Sequence, residues 1–427
     1  MRHWAMGLIR RLRATVVKGY FEGFSTVRTA TDADVDDGQA LADSRGRSGS
    51  RGGARSESGP AEPESRAELS AVMCPDFADS NPYQRELCDA LDSHGVSVEL
   101  SEYGQWLPLL GAVWGHERRR PDVVHLHWLS KCFVTGQSVV TALFGVRLLV
   151  ELAVLRLLGV RTVWTVHNLT EHERQSPRVE RGVKRLAGGL FDNLVVHCET
   201  AADALVEAFS LSPAQREKVA AIPHGHYLDS YPDEITRADA RASLGYEGET
   251  VFLFFGLIRP YKNVGALIEA FRGIDDPDAR LLVVGNPLDD DLGATVRQRV
   301  STDDRARAVL EFVPDAEVQR YMNAADVVVL PYENAFTSGA AVLAMSFGRP
   351  VVAPNVGCVG EILDPAGSIC YEPDDPDGLS RSLRAAFDAD LDEMGANNRR
   401  RVERFDWSGI ARATRRLYDA PDDPSNG

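Results

Sequence analysis

Short apolar runs alternate along this chain with stretches of helical spacing. Glu68–Pro75 (ELSAVMCP) reads as a strand, Asn81–His94 as a helix and Val96–Leu100 as a second strand. Further strands are predicted at Asp122–His127, Arg161–His167, Asn193–His197 and Val219–Pro223, with helical patterns between them. A second round starts at Thr250. Its strands are Val251–Phe255, Arg280–Val284, Val309–Phe312, Val327–Leu330, Pro350–Ala353 and Ser368–Tyr371. Its helices lie near Asn263–Phe271, Asp289–Ser301, Asp315–Ala324 and Ser338–Phe347. Strands alternating with helices predict parallel sheets covered on both faces. The fold class is therefore α/β, with two doubly wound domains facing across a cleft. The domains are expected at 67–235 and 236–405. Ligands in such sheets sit at the carboxyl ends of the strands, where this chain places polar residues.

Residues 1–66 depart from this pattern. Arg45–Arg66 is Gly, Ser, Arg, Glu and Pro, with too little apolar surface to offset the entropy of ordering. Trp4, Leu8, Leu12, Val16, Tyr20 and Phe24 recur every four positions among Arg10, Arg11, Arg13 and Lys18. That is either a basic amphipathic helix suited to an anionic membrane surface or part of a disordered tail. No uncharged apolar run reaches the roughly 18–20 residues of a membrane span, and the longest stops at Arg147. Phe133–Leu158 is nonetheless a strongly apolar helical region in which Arg147 and Glu151 are spaced to pair across one turn.

The 427-residue chain carries 63 acidic against 47 basic residues, a net charge of −16, which argues against a nucleic-acid partner. Only five basic residues are lysines: Lys18, Lys131, Lys184, Lys218 and Lys262. The acid excess suggests a protein that works in high salt. Six scattered cysteines without a CxxC predict free thiols in a reducing cytoplasm rather than a disulfide framework.

Several stretches carry a resemblance. They are Asn81–Gln84 (NPYQ), Asp122–Trp128 (DVVHLHW), Val163–Glu173 (VWTVHNLTEHE), Pro223–Tyr227 (PHGHY), Phe254–Lys262 (FFGLIRPYK), Tyr321–Tyr332 (YMNAADVVVLPY), Thr337–Pro354 (TSGAAVLAMSFGRPVVAP) and Gly357–Leu363 (GCVGEIL). In order and spacing the chain resembles GT-B glycosyltransferases, close to family 4, from about Ala67 to Tyr418. The resemblance implies two Rossmann-like domains, acceptor-side then donor-side, with a closing helix at 406–420 that crosses back to the first. It also implies transfer of a hexose from a nucleotide-diphosphate sugar to a polysaccharide or lipid-linked saccharide. That sugar is a co-substrate, with no cofactor or metal required. A peripheral contact on the inner face of the membrane is expected.

The donor diphosphate needs positive partners. Arg259 offers a forked donor and Lys262 a point charge, both suited to phosphate oxygens. Relatives often carry the Arg directly after the Gly; here Leu257 holds that place and only the Lys register is kept. Thr337, Ser338 and Gly339 open a helix whose N-terminal N–H groups suit phosphate. The glutamate pair usual in family 4 is missing: its places fall on Ala335 and Leu343, and Glu333 lies near but out of register. The anomeric outcome stays open. Base recognition is expected from the backbone around Phe312–Pro314.

On the acceptor side, His167 holds the family's position for a histidine facing the donor sugar. Glu173 is the favoured base for an inverting reaction, among Glu171, His172 and Glu173. His125 and His127 share one strand face, and Trp128 is placed to stack on a sugar. His127, His224, Asn81 and Glu333 are expected donor or acceptor contacts, with Asn81 also capping its helix ahead of Pro82. No spacing matches a metal site. The alternative reading is a non-catalytic GT-B paralogue serving as a partner subunit in a glycan-assembly complex. A sugar-nucleotide epimerase of the same fold is a weaker third.

Overall fold

The computed structural model describes residues 69–78, 81–104, 106–115, 120–169 and 177–419. The expected N-terminal helix and tail, and Glu171, His172 and Glu173, lie outside the described residues.

Twelve described strands form two six-stranded sheets. The first holds β1 (Leu69–Cys74), β2 (Val96–Leu100), β3 (Val123–Leu126), β4 (Arg161–Thr165), β5 (Asn193–Val196) and β6 (Val219–Ala221), in the order β2-β1-β3-β4-β5-β6. The second holds β7 (Thr250–Phe255), β8 (Ala279–Val284), β9 (Ala306–Val309), β10 (Val327–Val329), β11 (Val351–Pro354) and β12 (Ser368–Tyr371), in the order β12-β11-β10-β7-β8-β9. All described pairings are parallel. Parallel strands covered on both faces read as continuous apolar runs, which explains Phe252–Phe255 and Val327–Val329. In each sheet the strand order reverses once, between β1 and β3 and between β7 and β10. Those reversals open crevices at the carboxyl ends, the usual seat of a ligand in this architecture.

In the first lobe the helices are α1 (Pro82–Asp92), α2 (Pro108–Gly115), α3 (Ser138–Leu157), α4 (Pro177–Leu190), α5 (Glu199–Phe209) and α6 (Pro213–Arg216). In the second they are α7 (Arg237–Leu244), α8 (Val264–Arg272), α9 (Asp290–Val300), α10 (Asp315–Ala324), α11 (Gly339–Ser346), α12 (Gly357–Ile362), α13 (Gly378–Asp388) and α14 (Leu391–Val402). Asn81 caps α1 through the Tyr83 N–H, with Pro82 in the first turn. The last helix, α15 (Trp407–Tyr418), is capped by Asp406 and packs on α1. Its Trp407, Ile410, Ala411 and Tyr418 join the core formed by β1, β3 and β4.

Three expectations change. The strand expected at Val309–Phe312 lies at Ala306–Val309, where it pairs with Leu281–Val284. It is the sheet's edge strand, so its outward positions accept Arg307, and the apolar run beyond it leaves Phe312 62% exposed. The Arg147–Glu151 pair forms at 3.6 Å, but Glu151 is buried and does more than pair. Its carboxylate accepts the Leu109 and Leu110 N–H groups at 2.9 and 3.0 Å, capping the N-terminus of α2. The cysteines are not all free: Cys198 and Cys358, 160 residues apart, form a disulfide. Sequence distance concealed the pair because each cysteine follows its own sheet, and only tertiary packing brings them together.

Candidate active site

A crevice opens in the second lobe where the loops after β7 and β10 diverge. Gly256 has φ +123°, and a Cβ on Gly285 would lie 1.8 Å from the Gly256 carbonyl oxygen, so glycine alone lets these strand ends meet. The loop carries Arg259, whose guanidinium donates to the Ile258 carbonyl at 2.9 Å, and then one 3₁₀ turn, Pro260–Lys262. Lys262 is half-buried, with its ammonium 5.4 Å from the Tyr332 ring centre. Burial, reinforced by the Arg259 charge, lowers its pKa to about 8. An incoming diphosphate would restore the charge that burial disfavours.

Across the crevice, Ser338 caps α11 by accepting the Ala341 N–H at 3.2 Å. A helix start leaves its first-turn N–H groups without intrahelical partners and carries partial positive charge. A Cβ on Gly339 would stand 3.3 Å from Tyr227 Oη and 3.6 Å from His224 Nε2. Both rings therefore stand against the start of α11. Thr337 is half-buried beside Ser338. Glu333 is exposed, and with Asn263, Tyr332 and Tyr371 it lines a cavity of about 400 Å³ at the carboxyl ends of β10, β11 and β12. Ala335 and Leu343, the places of the missing glutamates, are buried.

The first lobe contributes a row of aromatic rings. His127, His167 and His197 follow the ends of three adjacent strands, β3, β4 and β5. Ring centres run His125–His127 4.5 Å, His127–His167 5.3 Å, His167–His197 5.4 Å, His197–His224 5.3 Å and His224–Tyr227 5.5 Å. Tyr83, from the NPYQ turn, meets His167, His197 and His224 at 5.5, 5.5 and 4.7 Å. Trp128 stacks on His167 at 4.6 Å. His167 Nε2 lies 3.0 Å from His127 Nδ1, so one neutral imidazole donates to the other. His125 bridges Thr165 Oγ1 at 2.7 Å and Tyr418 Oη at 2.5 Å.

Burial holds these histidines neutral. It lowers His125 and His224 to about 3 and His197 to about 4, and it lowers His127 and His167 as well. The unfolded chain binds these protons near pH 6.5 and the folded chain does not. Stability is therefore full above about pH 6.5 and is lost as pH falls from there toward 4, with each histidine adding up to about 1.4 kcal/mol per pH unit. Urea midpoints at pH 7.5 and 5.5 check this. A markedly lower midpoint at 5.5 is expected, and equal midpoints would contradict neutral burial.

The structure thus brings Lys262 and Ser338 to the same side chain, Tyr332, with Arg259 on the Lys262 loop turned to the Ile258 carbonyl, and sets His127, His167 and His224 in one row ending on α11. Asn81 spends its side chain on capping, and Glu333 faces the neighbouring cavity. Phe312 and Pro314 follow β9 at the carboxyl edge of the second sheet. His197, Tyr83, Tyr227 and Trp407 went unassigned from sequence. The strand-end recurrence of histidine was a legible signal for the first, whereas the other three become visible only once the linker, α1 and α15 converge. Among the described residues no group of three or more His, Cys, Asp or Glu side chains is placed to hold a metal ion.

Comparisons with known proteins fall on this architecture. The family model described as Glycosyl transferases group 1 matches residues 249–388. The GDP-mannose:glycolipid 4-beta-D-mannosyltransferase of Xanthomonas campestris pv. campestris is 30% identical over 301 residues, covering 69% of this chain and 76% of its own. A D-inositol 3-phosphate glycosyltransferase of Streptomyces bingchenggensis is 28% identical, covering 82% of this chain and 76% of its own. Among solved structures, sucrose-phosphate synthase from Thermosynechococcus elongatus superposes with a TM-score of 0.65 at 19% identity, over 82% of this chain and 98% of that one. Anabaena HepE in complex with UDP and glucose gives 0.64 at 17%, with the same coverage. These two share the GT-B fold.

Proposed function

The chain belongs to the group 1 glycosyltransferases, and from that premise we propose that it passes a hexose from a UDP- or GDP-sugar to a polysaccharide or lipid-linked saccharide. The observation that carries this reading is the meeting of Lys262 and the Ser338-capped start of α11 at Tyr332, with Arg259 on the same loop, at the strand-order reversal. In this reading the departing diphosphate is met by these cationic and N–H groups, which lower the barrier by stabilising developing charge. The His127–His167 pair faces the sugar from the first lobe, and His224 and Tyr227 close the junction. The nucleotide sugar is the co-substrate, and the reading calls for no further cofactor. Both relatives described above are named as transferases, so the non-catalytic alternative has no finding behind it.

Calorimetric titration with UDP and with GDP in high salt tests the reading. Micromolar binding of one nucleotide is expected, weakening as pH rises through about 8 while Lys262 loses its proton, by up to about tenfold per pH unit. A folded protein that binds neither would overturn it.

We place the enzyme peripherally on the cytoplasmic face of a membrane, in a saline interior suited to its acid excess. The support is a face of the first lobe. Val139, Leu143, Val146, Val150 and Leu157 stand exposed along one stripe of α3, beside exposed Trp114 on α2 and Leu186 on α4. Arg178, Arg181 and Arg185 stand exposed along α4. By length and composition α3 would cross a membrane, yet a third of it is buried in the lobe, which fits lying on a bilayer rather than spanning it. Leu143→Asp together with Val150→Asp should abolish flotation with anionic vesicles. Unchanged flotation would remove this face as the contact.

A further inference from the structure

The disulfide joins the two lobes. Cys198 is the N-cap of α5 in the first lobe, and Cys358 lies in α12 of the second. Cys358 is 1% exposed and belongs to the first lobe's apolar core rather than to that of its own lobe. Beside it the Glu361 carboxylate accepts the Glu199 and Thr200 N–H groups at 3.2 and 3.0 Å and the Thr200 hydroxyl at 2.9 Å, so the second lobe helps cap a first-lobe helix. On the other side, Gly357 has φ +48°, and a Cβ there would lie 1.8 Å from the Ala335 carbonyl oxygen, two residues before Thr337. The bridge is therefore tied through one backbone contact to the loop that leads into α11.

We propose that Cys198 and Cys358 are a reversible thiol–disulfide site that staples the two lobes together and governs how readily the cleft between them opens. Its bearing on donor exchange rests on the donor site proposed above; the staple itself does not. The oxidant is a small-molecule disulfide. The Cys198 thiolate attacks one of its sulfurs, forming a mixed disulfide and releasing one thiolate. The Cys358 thiolate then attacks the Cys198 sulfur, the protein bridge forms and the second small thiolate leaves. Two protein thiols are oxidised, one disulfide is reduced, and the two protons end on the two released thiols. A dithiol reverses the sequence.

Cys198 is suited to begin. It sits at a helix N-terminus, and its sulfur accepts the Ala201 N–H at 3.3 Å, which favours a thiolate. The free thiols are placed differently. Cys74 and Cys132 are buried, and burial raises Cys74, Cys88, Cys132 and Cys370 alike. With both bridged sulfurs buried, a reagent reaches them only when α5 and α12 part. Exchange is therefore gated by the same opening that the bridge restrains.

The test uses the full chain, treated with oxidised glutathione or with dithiothreitol, then peptide mapping and amide hydrogen exchange. A linked Cys198–Cys358 peptide is expected in the oxidised sample alone. Reduction should speed exchange in the first turn of α5 and in α12 at least tenfold. Cys198→Ser and Cys358→Ser should each exchange like the reduced protein in both buffers, and Cys370→Ser like wild type. Absence of the linked peptide after oxidation, or a linked peptide with exchange unchanged on reduction, would overturn the proposal. The exchange readout needs no nucleotide. Failure to bind UDP or GDP in either redox state therefore removes the donor reading and leaves the staple standing or falling on its own result.

Discussion

Lys262→Ala is expected to weaken nucleotide-diphosphate binding about thirtyfold, roughly 2 kcal/mol, without lowering the unfolding midpoint. A charge-assisted hydrogen bond in a partly dehydrated site is worth about 1.5–3 kcal/mol, and removing the side chain forfeits it outright. Stability should hold or rise, because burial of this ammonium disfavours its charged form in the empty protein. Arg259→Ala should cost less, since that guanidinium already spends a donor on the Ile258 carbonyl. Titration calorimetry beside urea unfolding separates the two quantities. A Lys262→Ala protein that binds as wild type would remove the loop after β7 from the donor site.

Lys184→Met is expected to cost about 3–5 kcal/mol of stability. Lys184 and Glu180 meet at 2.7 Å one helical turn apart on α4, 2% and 1% exposed. Ser130 donates to the same carboxylate, and Lys184 donates to the Leu169 carbonyl, just past His167. Removing the lysine takes the ion-pair partner from a buried carboxylate and frees the strand-end loop. Replacing both partners, Glu180→Leu with Lys184→Met, should recover most of the loss, because neither buried charge remains. Urea midpoints for wild type, both single variants and the double variant give the coupling. A single variant losing under about 1 kcal/mol would show the pair to be solvated.

How much of this was legible depends on range. Strands buried on both faces announced themselves as apolar runs, and eleven of the twelve lie where periodicity put them. The twelfth, β9, is an edge strand whose outward Arg307 breaks the run. The cap at Asn81 and the helix opening at Ser338 were local and readable. Lys262 and the α11 start could be named from sequence because a loop and the helix after it are neighbours in the chain. The Cys198–Cys358 bridge, the Glu151 cap on α2, the Glu361 cap on α5 and the meeting of Tyr227 with Gly339 join segments tens to hundreds of residues apart. No local pattern encodes these.

One packing arrangement also fixes the order in which the molecule can be built. Trp407, Ile410, Ala411 and Tyr418 of α15 fill the core beneath β1, β3 and β4, and Tyr418 reaches His125. A ribosome delivers α15 only after the entire second lobe. The lobe synthesised first is therefore the last to complete its core, and it waits with an open apolar face while the other lobe folds. Residues 69–222 expressed alone lack that wedge, which a short linker to residues 406–419 would restore. Chain order and folding order run in opposite directions here.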